Sequence, residues 1–313
     1  MKHVVWPKEK TWPPKMVFLS CVGFLTALLA TPSVAWAWGP VTHVMLSVQT
    51  LAGSGNISDS LLSLIAAWPE VFLYGNLAPD IVQGRRLQSR LRRHSHNWSV
   101  AFELMAAARE AAAQVFALGY LAHLASDVIA HNFYLPMCYI ANYDARLAGH
   151  IYFEACFDAI HEDSYQEILL KLLDLDFTSF DATLEKTIDS PLLPFATHRK
   201  IFEGGLKRIR QWNRLVRATG GTAKIDSHEA RALCEASCYA IAEVLTRKQE
   251  ATVCRLDPMG EQNIRNAARF RQSLRALGRL GDEAAQSAKK LASSMRRELQ
   301  LRLEQLPFLP QHG

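Results

Sequence analysis

The chain has 313 residues, 49% of them apolar and 21% charged, and a formal net charge of +5. This composition excludes a disordered or low-complexity chain and supplies enough apolar matter for one large domain or two small ones. Six cysteines with no Cys-x-x-Cys pair exclude a disulfide scaffold, a thiolate zinc ribbon and thioredoxin-type redox chemistry, and neither a Gly-rich phosphate loop nor a Gly-x-Ser-x-Gly elbow is present.

The first segment reads as an export signal. Lys2, Lys8, Lys10 and Lys15 stand against a single acid, Glu9, and precede an apolar run from Met16 to Ala30, with Ala35-Trp36-Ala37 after it. A basic start, a short apolar stretch and a small-x-small ending describe a cleaved leader. The run is shorter than the roughly 20 residues of a spanning helix; an uncleaved anchor is the alternative. Residues 1–37 are therefore expected to be removed between Ala37 and Trp38, and the mature protein to be secreted or periplasmic.

From residue 38 the chain reads as helix after helix. Apolar residues recur at three- and four-residue spacing over 98–113, 115–131, 149–173, 196–216, 227–247 and 261–306, and alternating strand-like runs are nearly absent. Breaks are expected at Gly53-Ser54-Gly55, around Pro79, at Pro136, over 191–194 and at Gly220-Gly221. The expected fold is all-α, with a helical body over 38–263 and a basic helical extension over 264–313. That extension carries ten Lys/Arg against four Asp/Glu between Ile264 and Glu304, with Leu274, Leu277, Leu280, Leu291, Leu299 and Leu303 among them. Contact with a membrane surface and packing against the body are both open for it.

Histidine is the abnormal feature: seven of eleven fall between His43 and His161. His123, Asp127 and His131 are spaced i, i+4, i+8, so on a helix they stack along one face among Leu, Ala, Val and Ile. Burying imidazoles and a carboxylate there is costly unless they are paired, either with one another or by a divalent metal whose ligands are of these types. His150 and Glu154 repeat the i, i+4 arrangement, and Asp158 follows one turn later, where it could orient an imidazole; a solvated face suits His161 better. Upstream, Asp80 projects from a turn after Ala78-Pro79, and His96, rather than His94, adjoins the apolar helix starting at Trp98. His43 lies five residues from Trp38, whose freed α-amine and carbonyl together form a five-membered chelate. The candidate set is Trp38, His43, Asp80, His96, His123, Asp127, His131, His150 and Glu154, enough for two or three ions with Asp127 as the bridge.

This arrangement resembles the zinc-dependent phospholipase C family, whose members are all-α, use the mature amino-terminal residue as a ligand and hold three zinc ions. The resemblance covers about 38–160. It implies one ion on Trp38, His43 and Asp127, a second on Asp80, His96, His123 and Asp127, and a third on His131, His150 and Glu154. The helix spacing His-x3-Asp-x3-His departs from the His-x3-Asp-x5-His of the secreted toxins and is similar to that of the amino-terminal part of the glycosylphosphatidylinositol-specific phospholipase D. The resemblance further implies hydrolysis of a phospholipid or other phosphodiester by zinc-activated water, with Asp80 orienting that water and no covalent intermediate. Single-strand-specific nucleases of the same superfamily share the Trp-x4-His spacing, but their Asp-x-His-Gln-Pro element is missing here, so nucleic acid is the lesser expectation. A metal-binding protein without turnover is the remaining alternative. The stretch Arg85-Arg86…Arg90…Arg92-Arg93 is either a solvated loop or an attraction for anionic groups.

Overall fold

The computed structural model describes residues 38–53, 57–82, 93–145, 149–161, 163–189, 193–220 and 223–310. The leader, Arg85, Arg86, Arg90 and Arg92 lie outside the described residues. Among those described there is no strand, and twelve helices account for the fold. They are α1 (Pro40–Ala52), α2 (Asp59–Ala66), α3 (Pro69–Leu77), α4 (Trp98–Ala107), α5 (Ala111–Ala141), α6 (His150–Asp158), α7 (Asp163–Lys171), α8 (Thr178–Thr187), α9 (Phe195–Ala218), α10 (Ser227–Arg247), α11 (Glu261–Leu277) and α12 (Asp282–Glu304).

Their starts follow from local chemistry. Pro40 and Pro69 open α1 and α3, where a missing N–H costs nothing. Ser58 and Asn97 cap α2 and α4 through their side chains, and Asp226 with Glu229 forms a reciprocal capping box at α10. The run read as one helix over 149–173 divides into α6 and α7, and that over 261–306 divides into α11 and α12 at the turn from Gly278 to Gly281.

α5 is the axis of the molecule. Every residue from Val115 to Ile129 is buried, because α3, α4 and α10 pack around it. A helix apolar on all sides belongs in a core. The close crossing with α3 depends on two glycines: a Cβ at Gly75 would fall 2.2 Å from the Phe116 carbonyl oxygen, and one at Gly119 2.1 Å from that of Phe72. This brings the end of α3, and the Ala78–Asp80 turn after it, against the middle of α5.

The break expected at Pro136 does not occur. α5 runs through it by way of a π-helical segment, Ala130–Tyr134, in which the Leu135 N–H reaches back to Ala130. Proline lacks the donor for the usual i→i−4 bond and its ring crowds that carbonyl; the extra residue in the widened turn absorbs both problems.

The basic carboxy-terminal helices pack against the body. Leu274, Ala288, Ala292 and Leu299 form a second apolar cluster with Met137 and Ile140 of α5, and Leu303 and Leu306 enter the main core. Leu280 and Leu291 remain exposed.

Candidate metal centre

Five elements deliver the candidate side chains to one place. α5 carries His123, Asp127 and His131; α1 brings His43; the turn after α3 brings Asp80; the turn before α4 brings His96; and α6 brings His150 and Glu154. Of these, His150 is the only one with appreciable side-chain exposure, 20%; the site therefore meets solvent on that side.

Asp127 is at the middle and fully buried. Its Oδ1 lies 3.3 Å from His43 Nε2, while Oδ2 lies 3.3 Å from His123 Nε2, 3.4 Å from His96 Nε2 and 3.8 Å from His131 Nδ1. Its two oxygens thus face different sets of imidazoles. Asp80 Oδ1 stands 3.2 Å from His96 Nε2 and 3.9 Å from His123 Nε2. Two groups, His43 with Asp80 and His123, and His96 with His123 and Asp127, each have ligand atoms within 4.8 Å of one another. Toward solvent, the His131 and His150 rings are 5.6 Å apart edge to face, and His150 Nε2 lies 2.8 Å from Glu154 Oε1.

The far sides of the imidazoles explain which nitrogen each presents. His123 Nδ1 is 2.7 Å from the Asn76 carbonyl, and His131 Nδ1 is against the Pro258 carbonyl. A carbonyl only accepts, so Nδ1 carries a proton in both rings, and in the neutral form of each the lone pair is on Nε2. His43 follows by one further step. The Ser126 hydroxyl donates to the His123 carbonyl at 2.9 Å, which leaves its oxygen to accept from His43 Nδ1 at 3.1 Å. His96 Nδ1 contacts Ser95 Oγ at 3.0 Å.

The result is a dense cluster of imidazole nitrogens around buried carboxylate oxygens. His43 Nε2 faces Asp127 Oδ1, His123 Nε2 faces Asp127 Oδ2, and His96 Nε2 is within hydrogen-bond distance of His123 Nε2 at 3.3 Å. Such a cage is stable only around positive charge. Imidazole nitrogen and carboxylate oxygen, oriented from behind by hydrogen bonds, form a donor set that fits zinc. The electrostatics agree. Burial acts to lower the His123 imidazole, but the Asp127 and Asp80 carboxylates outweigh it and hold its pKa above the ordinary value. Burial acts to raise Asp127, and His123 and His131 instead hold it well below the carboxylate range.

Trp38 is fully buried beside this cage. Its indole Nε1 donates to the Ser126 carbonyl at 3.0 Å, and its ring packs on Tyr134 and Phe157 at centroid distances of 4.7 and 4.5 Å. His96 reaches both carboxylates, 3.2 Å from Asp80 Oδ1 and 3.4 Å from Asp127 Oδ2.

Two sequence readings need correction. Asp158 does not orient an imidazole of the cage: its carboxylate accepts from the Val41 and Thr42 N–H groups and the Thr42 hydroxyl. His161 is not on a solvated face, since its Nε2 lies 3.1 Å from Thr42 Oγ1 and burial pushes its pKa down to about 3. Ser126, Asn76 and the loop from Asp257 to Gly260 escaped the sequence reading altogether. Ser126 offered a weak signal, one residue before Asp127; carbonyl groups offer none. The described cysteines are free thiols whose pKa values are raised by burial, which makes them inert rather than nucleophilic.

Against known proteins, a family described as zinc dependent phospholipase C matches residues 42–192, which include every candidate ligand except Trp38. No curated protein and no solved structure matches the chain.

Proposed function

Over residues 42–192 the chain is a member of the zinc-dependent phospholipase C family, and from that premise we propose that it is an exported phosphodiester hydrolase acting on a phospholipid through a centre of three zinc ions. The observation that carries the reading is the convergence of imidazole Nε2 atoms on two buried carboxylates. The zinc ligands are assigned as His43, Asp127 and the Trp38 backbone; Asp80, His96, His123 and Asp127; and His131, His150 and Glu154. Residues 1–37 are assigned as the leader, and cleavage after Ala37 frees the Trp38 amine.

Zinc held by these groups supplies Lewis acidity and brings the pKa of water to about 7. The chain's own residues do the rest. Asp80 holds the attacking water and takes its proton, from a buried position 3.2 Å from His96 Nε2 and 3.9 Å from His123 Nε2. Asp127, held ionised, keeps His43, His96 and His123 at fixed spacing. The mouth at His150 admits the diester from solvent while the inner imidazoles remain shielded. No side-chain nucleophile is needed, in keeping with the inert thiols.

The test is release of a phosphorylated head group from mixed micelles, with metal content measured on the same sample. Activity abolished by chelator and restored by zinc supports the proposal. Cleavage of single-stranded DNA with lipids untouched makes the protein a nuclease instead, and zinc binding with neither activity makes it a metal-binding protein.

A further inference from the structure

Asp158 lies on the same face of α6 as His150 and Glu154, one turn beyond Glu154, but it points to a different helix. α1 begins with Gly39 as its cap residue, which has no side chain to cap with. The first-turn donors must therefore be met otherwise. Pro40 has no N–H, and His43 N–H closes on the Gly39 carbonyl at 3.1 Å. Val41 and Thr42 remain, and Asp158 takes both, Oδ2 at 3.2 Å from Val41 N and Oδ1 at 2.9 Å from Thr42 N. The Thr42 hydroxyl adds a third donation at 2.6 Å. With its hydrogen directed at Asp158, that hydroxyl oxygen accepts from His161 Nε2 at 3.1 Å. The whole network runs toward one buried carboxylate, 1% exposed. It approaches so closely that a Cβ on Gly39 would fall 2.2 Å from Asp158 Cγ.

We infer that Asp158 is a positioning residue for the ion assigned to Trp38, His43 and Asp127. The inference rests on the ligand assignment above and deepens it. A cap supplied by the residue at its own N-terminus would fix only α1. A cap supplied from α6 fixes α1 relative to the helix that carries His150 and Glu154. Trp38 is one residue before the clamped turn and His43 one residue after it, so a single carboxylate sets the placement of both. The Trp38 ring, resting on Phe157 immediately before Asp158, ties the same two segments together from the other side.

The test is Asp158→Asn in protein recovered after export, with the amino-terminal residue read by intact mass. Zinc is counted after equilibration in zinc buffers, and melting is followed with and without zinc. An amide keeps the size of the carboxylate but turns a donor toward one of two N–H groups. The expected result is one ion weakened by about 10- to 100-fold, the ordinary cost of losing an orienting partner, and two ions unchanged. The rise in melting temperature on adding zinc shrinks accordingly. Thr42→Val, which removes only the hydroxyl, gives a smaller loss of the same ion, and Thr42→Ser restores it. A purely structural cap would lower the melting temperatures of the zinc-free and zinc-loaded protein equally and leave all three affinities intact; that outcome overturns the inference and leaves the hydrolase reading standing. A wild type that holds no ion dependent on the Trp38 terminus overturns the ligand assignment and the inference together.

Discussion

The inner and outer poles of the centre are built in different ways. At the inner pole His43, Asp80, His96 and His123 surround Asp127, all buried, with donor atoms 3.2 to 3.4 Å from a carboxylate oxygen for three of the imidazoles. At the outer pole His131 and His150 stand edge to face and Glu154 closes on His150, whose side chain is one-fifth exposed. The inner pole is over-determined, since each imidazole is fixed from behind and in front and α5 is packed on all sides. The outer pole has its support from farther away in the chain: the Pro258 carbonyl orients His131, Asn132 donates to the Asp257 carbonyl, and Asn263 donates to Asn132. One end is rigid and closed and the other is assembled late in the sequence beside solvent. The first suits holding charge, and the second suits admitting substrate.

The largest effect expected follows from breaking the inner pole. Asp127→Asn removes the carboxylate that faces all of His43, His96, His123 and His131, and leaves a neutral amide among the imidazole nitrogens. Bound zinc should fall at two of the three proposed positions, and kcat/KM by about 10³-fold, which corresponds to roughly 4 kcal/mol of transition-state stabilisation. Far-ultraviolet circular dichroism of the variant should match the wild type, because α5 is held by its apolar packing. Retention of the full zinc complement would show that Asp127 bridges nothing.

Breaking the outer pole should cost less and spare the inner ions. His150→Gln is expected to release one zinc and lower kcat/KM by about 10²-fold, or roughly 2.7 kcal/mol. Gly260→Ala reaches the same pole indirectly. Gly260 has φ 54°, and a Cβ there would stand 2.6 Å from the His131 backbone. An L side chain in that conformation costs about 1–2 kcal/mol before any clash is counted. Metal counts by mass spectrometry should show the same single ion reduced in both variants. Loss of an inner ion in either would mean that the two poles are not separable.

The inner pole was largely legible in the sequence, because its core is local. His123 and Asp127 announce themselves by helical spacing, as does His131 of the outer pole on the same helix, and the surrounding alkyl residues announce burial. Asp80, His96 and His43 needed the resemblance to be placed, since nothing in their own neighbourhoods says which helix they will meet. The outer pole was read as ligands without a scaffold. Its orienting groups are main-chain carbonyls at Asp257 and Pro258, more than a hundred residues from His131, and a carbonyl has no sequence signature. The reading of Asp158 failed for a related reason. Its spacing from Glu154 correctly put it on the same face, but its partner, the uncapped first turn of α1, is visible only once α1 and α6 are seen to meet. The helix through Pro136 was misread because proline's cost depends on the turn it enters, and a π turn removes the usual conflict.

The smallest effect sharpens the comparison within the inner pole itself. Ser126 belongs to no ligand set, yet its hydroxyl links two of them, donating to the His123 carbonyl and accepting from His43 Nδ1. Ser126→Ala leaves the Trp38 indole bond intact, because that bond ends on the main-chain carbonyl. What changes is that a buried His43 Nδ1–H faces a methyl group, at a cost of about 1–3 kcal/mol for an unsatisfied donor. The ring then has less reason to keep its proton on Nδ1 and its lone pair toward Asp127. Zinc affinity should fall about 10-fold at the ion that uses His43, with the other two unaffected and kcat at saturating zinc nearly unchanged. A zinc titration of activity separates the cases: a shifted midpoint with a common plateau is the expected result, whereas a lowered plateau at any zinc concentration would place Ser126 in the chemistry rather than behind it.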